Sequence, residues 1–357
     1  MFEEIKARQG ATTPGTLPNP GAAGTGMLSR LGNSLGIAPP IATKYDKGTE
    51  TCLTYMKDFK DKRVIMTGAT GGIGAKVAKK LLKAGAKVVM LVQDVTKVDV
   101  ALNIKSQAFL NGNKYAAISL NLKEPYQIEK KFREAITMLQ GHVDCLILCH
   151  GAINNDSIFD TNMLEWDQMM NLNVRASFQL VSLSIPFLKL SKGCITILSS
   201  NAGKAPQPGS IIYSTSMAMV NMLIETTALE VAFFGIRVNG VAPGVTNTQA
   251  RMKKDSIGLT EAQNRTFLLE AGIDVPLQNQ LNQPSEVAKS ILWLSSGDAA
   301  FITGEILTID GGQSLTSNDY PDYLKVLAQS RGAGEGLGAQ LIGKIQVKPV
   351  YNAQNFQ

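Results

Sequence analysis

The 357-residue chain lacks the features that mark disulfide-rich secreted proteins. Its four cysteines, Cys52, Cys145, Cys149 and Cys194, form no CxxC pair and show no framework spacing. Three of them lie in apolar, strand-like runs, where a cysteine usually acts as a small core residue. We therefore expect free thiols and a reducing, intracellular compartment.

Long apolar runs and clustered charge are also missing. No run of about 18 uncharged apolar residues is present, which predicts no transmembrane segment. The first ten residues, MFEEIKARQG, have two acids and no apolar core, unlike a secretory signal. The net charge of +6 is spread along the chain, so we expect no nucleic-acid ligand. The cytoplasm and the matrix side of a mitochondrion both remain open.

The two ends of the chain differ in composition from the middle. Residues 11–40 and 332–357 are rich in glycine, and the first stretch also in proline, so neither buries enough apolar surface to fold alone. We expect an N-terminal extension at 1–60, one domain at 61–315 and a C-terminal extension at 316–357. Partner proteins are the expected contacts of both extensions.

Strand-like and helix-like runs alternate through the middle of the chain. The β-branched runs are Arg63–Thr67, Lys87–Val92, Tyr115–Ser119, Val143–Leu148, Cys194–Leu198 and Ile236–Val241. Longer stretches with helical spacing include Ile73–Ala84, Tyr126–Leu139 and Tyr213–Phe234. This alternation predicts an α/β fold with a doubly wound parallel sheet, the Rossmann fold.

A glycine-rich turn, TGATGGIG at 67–74, joins the first strand to the first helix. Glycines let the backbone turn tightly and approach a pyrophosphate, which binds at the helix N-terminus. Because the turn lies between a strand and a helix, it predicts dinucleotide binding.

This turn resembles that of the short-chain dehydrogenase/reductase family, whose pattern is TGxxxGIG. The matching residues are Thr67, Gly68, Gly72, Ile73 and Gly74. The likeness continues as far as Leu315, through Asn173 in NLNVRASF, Ser199-Ser200, Arg237-Val238-Asn239, Pro243-Gly244 and Asp310-Gly311-Gly312. The resemblance implies the Rossmann fold and NAD or NADP as cofactor, without a metal ion.

The resemblance implies further cofactor contacts at the ends of the later strands. They are Gln93, Asn121, Leu122, Gly151, Pro243 and Gly244. In the family an acid at the end of the second strand selects NAD and a base selects NADP. Val92 and Gln93 are neither, and Asp94 comes one residue late, so the type of cofactor stays open.

The fourth strand of the family ends in NNAG, and here the aligned residues are Leu148-Cys149-His150-Gly151. Only the glycine is kept. We expect His150 to fill part of the cofactor cleft or to pack beside it, with a catalytic role as the alternative.

The resemblance also implies a catalytic set. Tyr213 takes the acid/base role, Ser200 holds the substrate oxygen, and Asn173 holds a water on the proton path. The family places a lysine four residues after the tyrosine, on the same helix face. In this chain Met217 occupies that position.

The missing lysine has a calculable consequence. A positive charge about 4 Å from the phenolate contributes about 4 kcal/mol at an effective dielectric constant near 20. That energy lowers a tyrosine pKa by about three units from its usual value near 10. Because methionine has neither charge nor donor, we expect most of the 10²–10⁴-fold gain from acid–base catalysis to be at risk. Lys204 is either a substitute cation or a solvated loop charge.

Three functions remain open. We favour a catalytically impaired, NAD(P)-binding accessory subunit of a larger assembly, such as a mitochondrial membrane-protein complex. The alternatives are an active NAD(P)-dependent oxidoreductase acting on an alcohol or carbonyl, and a nucleotide-redox sensor; a homo-oligomer is possible in each case. Substrate turnover supports the second function, and partner binding that follows the nucleotide redox state supports the third. The substrate cannot be named, because the family varies freely in the region of residues 246–283.

Overall fold

A seven-stranded parallel sheet forms the centre of the domain. The computed structural model describes residues 54–103, 115–154, 158, 161–205, 209–248, 275–277 and 281–315. The strands are β1 (Arg63–Thr67), β2 (Lys87–Val92), β3 (Tyr115–Ser119), β4 (Cys145–Leu148), β5 (Cys194–Leu198), β6 (Arg237–Pro243) and β7 (Ile306–Ile309). Both expected extensions, apart from 54–60, and most of the segment 246–283 lie outside the described residues.

The strand order is β3-β2-β1-β4-β5-β6-β7. The chain first builds outward from β1 through β2 to β3, and then crosses back to place β4 on the other side of β1. Thr67, the last residue of β1, pairs with Leu91 of β2 and Leu148 of β4. In a doubly wound sheet, the reversal of strand order opens a crevice at the carboxyl ends of the strands, and ligands bind there. This crevice lies above β1 and β4.

Seven α-helices accompany the strands within the described residues. They are α1 (Gly72–Ala84), α2 (Val98–Leu102), α3 (Pro125–Met138), α4 (Met163–Met169), α5 (Ala176–Ser191), α6 (Ile211–Val231) and α7 (Pro284–Ser295). A π-helical turn, Met170–Arg175, joins α4 to α5. Short 3₁₀ turns lie at Thr54–Phe59, Val95–Lys97, Asn201–Gly203, Ala232–Phe234, Gly297–Ala299 and Gln313–Leu315.

Both faces of the sheet are buried. Ile65 of β1 packs into a core with side chains of α3, α5 and α6, whereas its neighbours Val64 and Met66 pack into a second core with α1 and α7. Successive strand residues point to opposite faces, so a strand covered on both sides needs a continuous apolar run. This requirement explains why the β-branched runs of the sequence identified the strands so well.

The structure confirms the predicted fold with small shifts in boundaries. The run predicted from Val143 forms a strand only from Cys145, and β6 extends past Val241 to Pro243. The helix predicted from Tyr213 begins two residues earlier and ends as a 3₁₀ turn at Phe234. Cys145, Cys149 and Cys194 are buried free thiols, as expected, while Cys52 lies outside the described residues.

One described helical stretch, Ile211–Phe234, is long and apolar enough to cross a membrane by length and composition alone. It contains Glu225 and Glu230, which is why no uncharged apolar run appears in the sequence. Its residues Val220 and Ile224 belong to the same core as Ile65 of the central strand. The helix is therefore an element of the α/β domain in this structure.

Candidate active site

The glycine turn packs closely against the end of β4 and the start of α1. Gly68 has φ of +68°, and a Cβ there would overlap the carbonyl oxygen of Cys149. A Cβ on Gly74 would overlap the carbonyl oxygen of Gly68. Both positions therefore require glycine, because a side chain at either one would collide with neighbouring backbone. Thr67, immediately before the turn, is fully buried.

The N-terminus of α1 has the properties of an anion site. Its N-cap is Gly71, which makes no side-chain capping bond, and the first helical turn has no acidic residue. The amide groups of a first helical turn and the helix dipole favour a phosphate. The cradle of Gly68, Gly72 and Gly74 together with this helix end therefore fits the pyrophosphate of a dinucleotide, while Ile73 packs partly against the core.

Thr248 is a candidate site residue that the sequence interpretation missed. A Cβ on Gly72 would lie 2.8 Å from Cγ2 of Thr248, so the threonine lies over the glycine turn. The signal was weak, since a single hydroxyl residue four positions after Gly244 has no spacing that predicts a contact with the turn.

The cofactor-selecting end of β2 carries no free acid. Gln93 is exposed, and its carbonyl oxygen accepts a bond from Ser119. Asp94 accepts a hydrogen bond from the backbone N–H of Thr96 and pairs with Lys97 at 3.2 Å. The bonds from Thr96 lower the pKa of Asp94, so this carboxylate is ionised and caps its own 3₁₀ turn.

Two more predicted cofactor contacts follow β3. The side chain of Asn121 accepts from the N–H of Lys123 and donates to Glu124 at 3.0 Å, while Leu122 is buried. Asn121 is thus held at the carboxyl edge of the sheet by its own loop. Gly151 is exposed after β4, at the same edge.

The end of β6 is packed against the end of β7. Pro243 pairs with Ile309, and the N–H of Gly244 donates to the carbonyl oxygen of Ile309 at 3.0 Å. A Cβ on Gly244 would lie 2.6 Å from Cβ of Asp310, which excludes larger residues. Beyond this point the N–H of Asn247 donates to the carbonyl oxygen of Asn282 at 2.9 Å, which joins the two ends of the variable region 246–283.

Asn173 connects β4 to α6. It is 2% exposed and lies in the π-helical turn, a feature often found at functional sites. Its Oδ1 accepts from the N–H of Ala152 at 3.0 Å, and its Nδ2 donates to the hydroxyl of Ser216 at 3.0 Å. Ser216 in turn donates to the carbonyl oxygen of Tyr213 at 2.8 Å. The asparagine and the tyrosine are therefore linked through one serine.

Ser200 lies in a loop that packs directly on α6. Its Oγ accepts from the backbone N–H two residues later, at 3.2 Å. A Cβ on Gly203 would lie 2.7 Å from the carbonyl carbon of Met217, and Ser199 donates to Asn221. The structure therefore brings the loop of Ser200, the π turn of Asn173 and the helix of Tyr213 together.

Met217 occupies the expected lysine position as a core residue. Tyr213 and Met217 are 8% and 4% exposed, and both belong to the core on that face of the sheet. Lys204 was the nearest alternative cation in sequence. Its Nζ donates to the carbonyl oxygen of Ile306 at 2.5 Å and to Thr308 at 3.2 Å. Lys204 is exposed, and its ammonium is bound to β7.

His150 is a partly buried hydrogen-bonding residue. Its Nδ1 lies 2.7 Å from Oγ1 of Thr67, and its Nε2 lies 3.3 Å from Oγ of Ser177. Burial lowers the pKa of His150 to about 4, against a smaller opposing effect of a hydrogen bond to the carbonyl of Leu172. The imidazole is therefore neutral at pH 7 and packs beside the glycine turn.

Known proteins match this chain over the whole described domain. The family model described as short chain dehydrogenase matches residues 62–257. A 3-oxoacyl-[acyl-carrier-protein] reductase of Thermotoga maritima is 31% identical over 255 residues, which are 71% of this chain and 98% of that protein. Glucose 1-dehydrogenase 2 of Bacillus subtilis is 28% identical over 273 residues, or 75% and 99% of the two chains.

Solved structures agree with these relatives. Ligand-free aldohexose dehydrogenase of Thermoplasma acidophilum superimposes with a TM-score of 0.64 and 27% identity. The match covers 73% of this chain and 97% of the other. The relatives and the solved structure match 71–75% of this chain and 97–99% of their own length.

Proposed function

The chain belongs to the short-chain dehydrogenase family, and from this premise we propose that it is a dinucleotide-binding member whose proton-transfer site is impaired. The family consists of NAD(P)-binding oxidoreductases, and NAD or NADP remains the expected cofactor. The glycine cradle and the uncapped N-terminus of α1 fit that cofactor. We therefore expect the chain to bind the dinucleotide but to carry out proton transfer slowly.

The observation that carries the proposal is the buried thioether of Met217. It stands one helical turn after Tyr213 and packs in the apolar core of α6. A charge at this place would favour the ionised phenol, whereas a methionine cannot. Lys204, the other lysine considered for this task, binds β7 instead.

In this proposal Tyr213 and Ser200 keep the roles that the resemblance implies, and Asn173 has a structural role. The nicotinamide of a bound dinucleotide supplies or accepts the hydride. Tyr213 is the proton donor or acceptor, and Ser200 orients the substrate oxygen by a hydrogen bond. Asn173 fixes the position of α6 through Ser216. With Met217 in place of a lysine one helical turn after Tyr213, proton transfer is the step that we expect to be slow.

We also propose that the chain is an accessory subunit of a larger protein assembly. The end segments of the sequence and the exposed apolar side chains of α5 and α6 support this proposal. Phe178 is 58% exposed, Met219 46% and Leu229 82%. A groove of about 370 Å³ between Phe178, Met219 and the π turn is lined mainly by apolar residues. Large apolar surfaces of this kind often mark protein contacts.

Two measurements on the purified full chain test this function. Fluorescence titration with NADH and NADPH reports binding, and cofactor consumption over a panel of ketones and aldehydes reports turnover. We expect saturable binding with turnover below about 0.1 s⁻¹, well under the usual enzyme range of 1–10³ s⁻¹. Turnover within that range would contradict the impairment, and an absence of binding would contradict the nucleotide site.

The second candidate is an active oxidoreductase. The retained Tyr213, Ser200 and Asn173, gathered around α6, favour it. In that case Tyr213→Phe abolishes turnover while nucleotide binding persists.

The native mass of the endogenous protein tests the proposal that the chain belongs to a larger assembly. A particle that contains other polypeptides supports the accessory role, and a plain oligomer of the 38.3 kDa chain contradicts it.

A further inference from the structure

A line of hydrogen-bonding groups runs from the glycine turn to the π turn. Thr67 contacts Nδ1 of His150 at 2.7 Å, and Nε2 of His150 contacts Ser177 at 3.3 Å. The Ser177 hydroxyl donates to the carbonyl oxygen of Asn173 at 2.7 Å. Thr67 and Ser177 are 0% and 2% exposed. The line therefore joins a residue of the nucleotide turn to a residue of the catalytic set through the interior.

The hydrogen bond that Ser177 donates determines which nitrogen of His150 carries the ring proton. A serine hydroxyl has a single proton, and Ser177 uses it on the carbonyl of Asn173. Toward His150 the same oxygen is therefore an acceptor, so Nε2 must carry the ring proton. The carbonyl of Leu172, on the same helical stretch, is a second acceptor for the imidazole. Nδ1 is then unprotonated and accepts the hydroxyl proton of Thr67.

We propose that His150 is a positioning residue, which as a neutral, Nε2-protonated imidazole holds the glycine turn in place relative to Asn173. The line continues from the amide of Asn173 through Ser216 to the backbone of Tyr213. Nucleotide affinity and the placement of the catalytic helix consequently depend on the same imidazole. The part concerning nucleotide affinity rests on the proposed function.

Only an imidazole suits this position. Its two nitrogens lie on different sides of one rigid ring, one an acceptor and the other a donor, which matches Thr67 and Ser177. A side-chain amide has its donor and acceptor together at one end. Among the described residues, the groups that hydrogen-bond to the ring are two hydroxyls and one carbonyl, none of which titrates. A protonated ring would lose the acceptor that Thr67 requires.

The direct test is nitrogen-edited NMR of the ligand-free protein. The chain has only two histidines, His142 and His150, and His142 is exposed. His142→Gln removes one set of signals and so assigns the other. We expect His150 to show a fixed Nε2-protonated tautomer that does not titrate above pH 5. Tautomer averaging, an Nδ1-protonated ring or titration near pH 6.5 would overturn the proposal.

A pair of serine variants separates positioning from simple packing. Ser177 and Ser184 are both buried in α5 and both donate to a helix carbonyl, but Ser184 donates to Val181. Ser177→Ala should release the fixed tautomer, and Ser184→Ala should leave it intact. An unchanged tautomer in Ser177→Ala would contradict the proposal.

The same pair tests the link to the nucleotide turn. We expect Ser177→Ala and His150→Gln to weaken NADH or NADPH binding about tenfold, equal to about 1.4 kcal/mol. Ser184→Ala and His142→Gln should bind as the original chain does. Equal losses in Ser177→Ala and Ser184→Ala would mean packing alone and would overturn the link. If the original chain binds neither nucleotide, the proposed function fails, and the tautomer measurement still decides the role of His150.

Discussion

The ammonium of Lys204 lies 2.5 Å from the carbonyl oxygen of Ile306, on the edge strand β7. A second bond of 3.2 Å to Thr308 holds it there. Each bond to a charged group contributes about 1.5–3 kcal/mol at buried sites and less at exposed ones. The lysine nearest to Tyr213 in sequence is therefore a structural residue of the sheet edge.

The first prediction concerns that lysine. Lys204→Met should lower the unfolding temperature, because β7 loses two hydrogen bonds, and should leave any residual carbonyl reduction within about twofold. Lys204→Arg keeps the charge and should retain most of the stability. A tenfold loss of turnover in Lys204→Met, with nucleotide binding intact, would identify Lys204 as a substitute cation and contradict this role.

The glycine cradle makes a second prediction. In Gly74→Ala the new methyl group meets the carbonyl oxygen of Gly68, so the turn must shift. We expect a loss of about 3 kcal/mol in the free energy of unfolding and no measurable nucleotide binding. Gly151→Ala is the matched control, since its Cβ would come no closer than 3.6 Å to Asn173. Its free energy of unfolding should change by less than about 0.5 kcal/mol, as measured by urea titration.

The third prediction concerns the choice of nucleotide. Gln93→Asp places a carboxylate at the exposed end of β2, where it can bind the adenine ribose and repel a 2′-phosphate. We expect the ratio of NADH to NADPH affinity to rise about tenfold. Asp94→Asn should leave that ratio unchanged, because Asp94 already caps the turn at Thr96. A shift caused by Asp94→Asn instead would show that Asp94 is the ribose contact.

A fourth prediction follows from the depressed pKa of His150. This pKa is about 4 in the folded protein and about 6.5 in an unfolded chain. Between these values the unfolded chain binds one more proton, so folded stability falls as the pH drops from 6.5 toward 4. The slope for one proton is at most about 1.4 kcal/mol per pH unit.

Two variants isolate this contribution from the carboxylates, which titrate in part of the same range. Chemical denaturation of His150→Gln should show a weaker dependence on pH between 4 and 6.5 than the original chain. His142→Gln, with its exposed ring removed, should keep the full dependence. Identical profiles for the original chain and His150→Gln would contradict the depressed pKa.

Much of the fold could be predicted because the sheet is covered on both faces. Strands buried on both sides must be apolar throughout, so runs such as Lys87–Val92 and Cys194–Leu198 stand out in the sequence. The glycine turn was equally readable, since Gly68 and Gly74 are required by backbone contacts within a short stretch of chain. Such signals can be recognised in the sequence because the residues that cause them lie close together along the chain.

Contacts between distant segments could not be read in the same way. Thr248 over Gly72, and Ser177 beside His150, come from loops and helices that only the folded sheet brings together. The bond from Lys204 to Ile306 joins residues 102 apart in sequence and leaves no spacing pattern. Position alone left Lys204 open as a substitute cation or a solvated loop charge, and the structure adds its bonds to β7.

The most direct test of the account is Met217→Lys, assayed for carbonyl reduction with NADH and NADPH. A lysine here should support ionisation of Tyr213 and raise turnover about 10–100-fold, within the usual gain from acid–base catalysis. Met217→Gln, polar but uncharged, should give no gain, and adding Tyr213→Phe to Met217→Lys should remove it. A folded, nucleotide-binding Met217→Lys protein that is no faster than the original chain would contradict the claim that the missing charge limits the chemistry.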